Sequence, residues 1–203
     1  MDPNNPDIWT PQPGEQQRPG LRHFILTLVL FSTGALVGAF GQFTLPLSFG
    51  VNFFWPGIAV QNVGGIWFGA WGVLAGALFP IISNGIDGTP ILISLAYIPA
   101  NTLQAFLPAW GFRVFRADPR LTTPRDWGVF LLTITIANAL GALWSSMIVL
   151  RGFGLLDTGS VFLFIWGWFA GNEIAGIVFG VLLLKTFSGL VMASRLFVRR
   201  WFA

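Results

Sequence analysis

Cysteine is absent from this 203-residue chain, which excludes a disulfide framework, a thiol nucleophile and a thiolate metal site. Histidine occurs once, as His23, so there is no imidazole deep in an apolar segment to hold chlorophyll or haem or to relay protons. The same scarcity removes Ser-His-Asp and zinc-ligand constellations. No Gly-rich phosphate-binding loop ending in Lys-Ser or Lys-Thr is present to cradle a nucleotide. The chain is therefore expected not to be an enzyme, and to need neither cofactor nor metal. Charge is scarce as well: 9% of residues are charged against 54% hydrophobic, with a mean hydropathy of +0.71. A soluble domain carries about one quarter charged residues, so the composition points to an integral membrane protein. The pI near 10.6 rests on a net charge of only +3. Its Arg residues flank apolar runs, which makes lipid headgroups, not nucleic acid, the expected partner.

What is present can be threaded through a bilayer. Residues 1–22, with Pro11, Pro13, Gly14, Pro19 and Gly20 among polar side chains, read as a disordered cytoplasmic tail. Residues 23–184 read as the six-helix membrane domain and residues 185–203 as a basic amphipathic cytoplasmic tail, either a helix in the headgroup layer or a solvated end that satisfies the charge bias. The first span is expected from His23 to Leu45, followed by a loop around Pro46, Ser48, Gly50 and Asn52. Phe53 to Asn84 is either one overlong helix or two short ones joined near Gly69 to Gly72. Later spans are expected at Pro90 to Phe112, Trp127 to Leu150 and Ser160 to Leu184.

Charge decides the ambiguous segment. Split in two, it places Arg18, Arg22, Arg113, Arg116, Arg120, Arg125, Lys185, Arg195, Arg199 and Arg200 on one side and leaves only Arg151 on the other. Unsplit, it sets the four-Arg loop and the tail opposite the amino-terminal Arg residues, against the positive-inside rule. The expected fold is thus an all-α integral membrane protein of six transmembrane helices with both termini cytoplasmic, multi-pass in the plasma membrane. Aromatic placement agrees, with Trp67, Trp71, Trp110 and Trp127 at the inner interface and Trp55 and Trp144 toward the outer.

Candidate site residues come from amides at similar depth on several spans: Asn62, Asn101, Asn138 and Asn172, the last beside Glu173. An ionisable group in a membrane helix costs several kcal/mol on insertion scales, so Glu173 is expected to face the bundle interior, a partner or a wet cavity. Gln104 and Tyr97 share a helical face with Asn101. Such amides serve equally as packing glue between helices, worth about 1 kcal/mol each. Asn52, Asn84, Asp87, Arg151 and Asp157 form a candidate outer rim. Pairs of small residues, Gly34 with Gly38, Ala35 with Ala39, Gly65 with Gly69, Gly72 with Gly76 and Gly176 with Gly180, allow helices to approach closely.

The runs Phe54-Trp55-Pro56-Gly57-Ile58-Ala59, Gly69-Ala70-Trp71-Gly72, Asn101-Thr102-Leu103-Gln104-Ala105, Ala117-Asp118-Pro119-Arg120-Leu121 with Arg125-Asp126, and Trp166 to Gly176 carry a resemblance over about residues 53–184. Together they resemble the membrane-associated sensor domains that precede bacterial histidine kinases and diguanylate cyclases. In that family the last motif reads closer to Gly-Asp than to Gly-Asn-Glu. The resemblance implies a sensor of a small polar solute; no output domain follows in these 203 residues, which implies a separate signalling partner. Ala35-xxx-Ala39 and the Phe68-Gly69-Ala70-Trp71-Gly72 core are also similar to the substrate-binding S components of energy-coupling-factor vitamin importers. That second resemblance implies a coupling subunit as partner. A ligand-free structural subunit is the third expectation.

Overall fold

The computed structural model describes residues 7–11, 20–40, 43–48 and 51–202. Among the described residues the regular structure is helical apart from one short hairpin. Its elements are α1 (Leu21–Phe40), strands β1 (Phe43–Ser48) and β2 (Val51–Phe54), α2 (Gly57–Phe68), α3 (Ala70–Ile86), α4 (Ile91–Ala96), α5 (Ile98–Val114), α6 (Pro124–Leu143) and α7 (Val161–Ala193). A π-helical stretch, Trp144–Leu150, continues α6. Among the described residues four stretches are long and apolar enough to cross a membrane: Leu21–Phe40, Ile91–Val114, Pro124–Leu150 and Val161–Ala193, with Ala70–Ile86 a shorter apolar helix. Their outward faces are greasy, with Phe40 74%, Leu163 76% and Leu190 70% exposed. A water-facing surface does not sustain such a girdle, and these helices mark a membrane protein.

The segment from Phe53 to Asn84 breaks at Gly69, whose φ of 58° lies in the left-handed region that a side chain disfavours. Helices α2 and α3 fold back on each other there as an antiparallel pair. The pairing is close because it is built on glycine: a Cβ at Gly72 would run into the Gly64 carbonyl, and one at Gly76 would sit 3.3 Å from the Gln61 Cα. Gly65 meets the Ala105 carbonyl of α5 in the same way. Gly34 and Gly38 of α1 lie against Phe79 and Ser83 of α3, and Gly176 and Gly180 of α7 against Asn62 of α2 and Phe130 of α6. The small residues are thus the surfaces through which the bundle is packed. Ala35 and Ala39, on the same helix as Gly34 and Gly38, are also buried, 6% and 8% exposed.

Helix α1 stops at Phe40, five residues before the expected end at Leu45. The chain then turns into the antiparallel β1–β2 hairpin, where Phe43 pairs with Phe54 and Ser48 with Val51. The segment expected as a loop therefore has its own backbone hydrogen bonding, with Pro46 in a two-stranded ribbon that leaves each strand one open edge.

The other end of the bundle is a cap made from three distant parts of the sequence. Helix α7 runs on through Ala193, and residues 194–202 turn back, burying Phe197 and Val198. Val198 donates its N–H to the Trp67 carbonyl (2.9 Å) and Ala70 donates to the Trp201 carbonyl (2.7 Å). From the amino-terminal side Trp9, 7% exposed, donates its indole N–H to the Ala117 carbonyl (2.9 Å) and packs on Phe197. Of the segment expected as a disordered tail, residues 1–6 and 12–19 lie outside the described residues. The loop after α5 is held by a capping box at Thr123 and Asp126, with Pro124 at the first helical position of α6. Asp126 also accepts from the Asp118 N–H (2.8 Å), so the run Ala117 to Asp126 is one hydrogen-bonded unit. At the opposite end Trp55 and Trp144 donate to the carbonyls of Gly38 and Ala96.

Candidate binding site

Between Pro124 and Asn138 helix α6 rises about 21 Å, and between Val161 and Glu173 helix α7 rises about 18 Å, so the two side chains meet deep in the bundle. Asn138 donates its amide N–H to Glu173 Oε2 (2.7 Å), and the Thr135 hydroxyl donates to Oε1 (2.6 Å). Gln104, reaching from α5, donates to Asn138 Oδ1 (3.0 Å). Three helices are thereby joined by one polar line, Gln104 to Asn138 to Glu173, with Thr135 closing it. Thr135 and Asn138 are three residues apart and share a face of α6, which is why both reach the same carboxylate. Glu173 itself is half-buried at the α6–α7 seam, whereas Asn138 and Gln104 are buried. Its charge is met by two short, charge-assisted hydrogen bonds; among the described residues no basic side chain forms an ion pair with it.

The other amides lie around this line. Asn172 donates to the Trp168 carbonyl one turn back (3.0 Å). Trp168 in turn packs over Gly141, where a Cβ would stand 2.8 Å from the indole ring and 3.2 Å from Gln104 Nε2. Tyr97 joins Trp168, Phe164 and Ala142 in one apolar cluster on the hairpin side. Asn62 of α2 faces α7, its Nδ2 3.2 Å from where a Gly176 Cβ would be. Asn101 is 7% exposed on α5, one turn from Tyr97 and three residues from Gln104. Of the expected site residues, Gln104, Asn138 and Glu173 are bonded together, Asn172 and Tyr97 adjoin them through Trp168, and Asn62 and Asn101 flank them from α2 and α5.

Six amide atoms in this region have no hydrogen-bond partner among the described residues: Gln61 Oε1, Asn62 Oδ1 and Nδ2, Asn101 Nδ2, Gln104 Oε1 and Asn172 Oδ1. Leaving a buried polar group unmet costs roughly 1–3 kcal/mol. Six such costs together approach the whole stability of a domain, about 5–15 kcal/mol. These groups therefore demand water or a polar solute. Packing glue, in which amides satisfy one another across helices, describes Gln104 with Asn138 and does not describe Asn62.

Gln61, Thr135 and Trp168 escaped the sequence reasoning. Gln61 is fully buried and donates to the Gly76 carbonyl (2.8 Å); its place beside Asn62 was the available signal. Ser145 and Ser146, also buried without a partner, stand in the π-helical stretch, a backbone form frequent at functional sites. The outer rim contributes less. The Ser160 hydroxyl donating to Asp157 holds that carboxyl below the usual carboxylate range and closes the turn before α7. The side chain of Asn52 lies outside the described residues.

No family model, curated protein or solved structure matches the chain.

Proposed function

We propose that this chain is a plasma-membrane module of six crossings, both ends cytoplasmic, that binds a small polar solute in the bundle interior and conveys its presence to a separate signalling partner. The observation that carries the reading is the line Gln104–Asn138–Glu173–Thr135 together with the adjoining amide atoms that the protein does not satisfy. A bundle built only to pack would bury apolar groups at this depth. Six crossings are supported by the break at Gly69 and by contacts at one end that join Trp9 to the α5–α6 loop and to Phe197, and Arg113 of α5 to residues 194–202. Signalling requires that occupancy favour one packing over another. Helix α5 offers a route, since it carries Gln104 in the polar line and Arg113 in the cap. As a sensor it would belong with the domains it resembles; as an S component of an importer it would present Ala35 and Ala39 to a coupling subunit. The burial of both alanines, 6% and 8% exposed, leaves little of either for a coupling subunit to reach and favours the sensor.

The test is purification of the full chain in lipid nanodiscs followed by mass spectrometry of retained metabolites, with Glu173→Gln beside it. The variant keeps the shape of the side chain and removes its charge. The reading expects a co-purifying small polar molecule that is lost from the variant. Equal retention by both proteins would remove Glu173 from the site, and retention by neither would remove the solute-binding function.

A further inference from the structure

We propose that the solute is a small organic ammonium compound, whose N–H groups and positive charge are what the interior is arranged to receive; the inference rests on the solute-binding function above and deepens it. The reason is the direction in which the amides are forced to point. An ionised carboxylate only accepts hydrogen bonds, so Asn138 must turn its NH2 to Glu173 and its oxygen to Gln104. Gln104 must then spend an N–H on Asn138, which turns Gln104 Oε1 outward from that contact. Asn172 spends its N–H on the Trp168 carbonyl and Gln61 spends one on the Gly76 carbonyl, both acceptors without a proton to offer. Three amide oxygens, on α2, α5 and α7, are in this way left as buried acceptors without a donor among the described residues. Rotating any of the three amides would set oxygen against oxygen.

Glu173 adds to the same balance. Its carboxylate has about four acceptor positions, of which Thr135 and Asn138 fill two. The basic residues are elsewhere: the ion pairs seen among the described residues, Arg116 with Asp7 and Arg120 with Asp118, belong to the cap. Excess acceptors, a fixed negative charge and buried indole and phenol rings at Trp168 and Tyr97 form the recognition pattern for an ammonium group. The amide nitrogens of Asn62 and Asn101 supply donors at the flanks, suited to a hydroxyl or carbonyl elsewhere on the same molecule. An anionic solute finds no positive partner at this depth among the described residues, and a purely apolar one leaves every acceptor unmet.

Binding to the full chain in nanodiscs is measured by calorimetry and thermal shift with three probes of one size: butylammonium, butanol and butyrate. The ammonium probe is expected to bind at least about tenfold more tightly than the alcohol, in line with the added strength of charge-assisted hydrogen bonds, and butyrate not to bind. Glu173→Gln should abolish the ammonium preference, while Gln61→Leu, which removes one acceptor without touching the carboxylate, should weaken it severalfold. Tighter binding of butanol or butyrate, or a co-purifying metabolite without a protonated amine, would overturn the ammonium assignment and leave solute binding standing. If none of the three probes binds and no metabolite co-purifies, the solute-binding function and this inference fail together.

Discussion

Arg113 is the side chain on which the cap depends, and replacing it with Met isolates its contribution while keeping an unbranched, helix-compatible residue. Its guanidinium donates to the carbonyls of Val198 (2.7 Å), Arg200 (2.9 Å) and Gly65 (3.3 Å), besides Ala109 in its own helix (2.9 Å). It also lies between the rings of Trp9 and Trp201, 4.9 and 5.0 Å from their centroids. The two bonds to the returning tail are charge-assisted, worth roughly 1.5–3 kcal/mol each, and each ring contact adds about 0.5–1 kcal/mol. Part of that gross sum is offset because the variant no longer holds a charge out of water. A net loss of about 2–4 kcal/mol in tail docking remains, a shift of about thirty- to several-hundredfold in the opening equilibrium. Hydrogen exchange in nanodiscs reads it directly, at the Val198 amide bonded to Trp67 and the Ala70 amide bonded to Trp201. Both should exchange faster by that factor, with α6 and α7 amides in mid-bundle unchanged. Arg113→Lys should fall between, since an ammonium keeps the charge and loses the planar fork. Arg125→Met, which removes a bond to the Phe115 carbonyl outside the tail, is the control. Unchanged exchange at Val198 and Ala70 in Arg113→Met would refute the assignment of the guanidinium as the tail's anchor.

Because the chain has no cysteine, single substitutions give clean accessibility probes. Thr122→Cys on the α5–α6 loop and Thr158→Cys before α7 are both at exposed positions; an impermeant maleimide applied to intact cells should label Thr158→Cys and spare Thr122→Cys, and the reverse pattern would invert the topology. Gly72→Ala should destabilise by about 3 kcal/mol, the upper end for overpacking, because its methyl group meets backbone that cannot swing aside. Gly85→Ala, with nothing near its Cβ position, should be neutral or stabilise by up to about 1 kcal/mol; thermal unfolding in detergent compares the two. Asp126→Ala should cost about 1–2 kcal/mol by removing the capping box of α6 and the acceptor for the Asp118 N–H, read as earlier exchange across residues 117–126.

Much was legible in the sequence because bilayer physics is written in composition. The scarcity of charge, the length of the apolar runs and the sidedness of the Arg residues pointed to membrane helices. They also separated α2 from α3 at a glycine that no periodicity marked. The value of Glu173 was legible for the same reason: a carboxylate within an apolar run needs a partner wherever the chain folds. Its partners were not legible. Asn138 lies 35 residues away and Gln104 a further 34, and no local pattern encodes which faces of α5, α6 and α7 will meet.

The tertiary structure alone decided three things. It turned Gln61 and Asn172 so that their oxygens lack donors among the described residues, which depends on the backbone carbonyls that take their N–H groups. It made Trp9, Arg113 and Trp201 into one stack, joining residues from both ends of the chain and the middle. And it converted the segment after Phe40 into a hairpin, since in a two-stranded ribbon the hydrogen bonds come from pairing across the turn and not from residue preference in either strand. The sequence determined where the chain is apolar enough to leave water; only the packing of its helices determined which polar groups were carried inside and left asking for a partner.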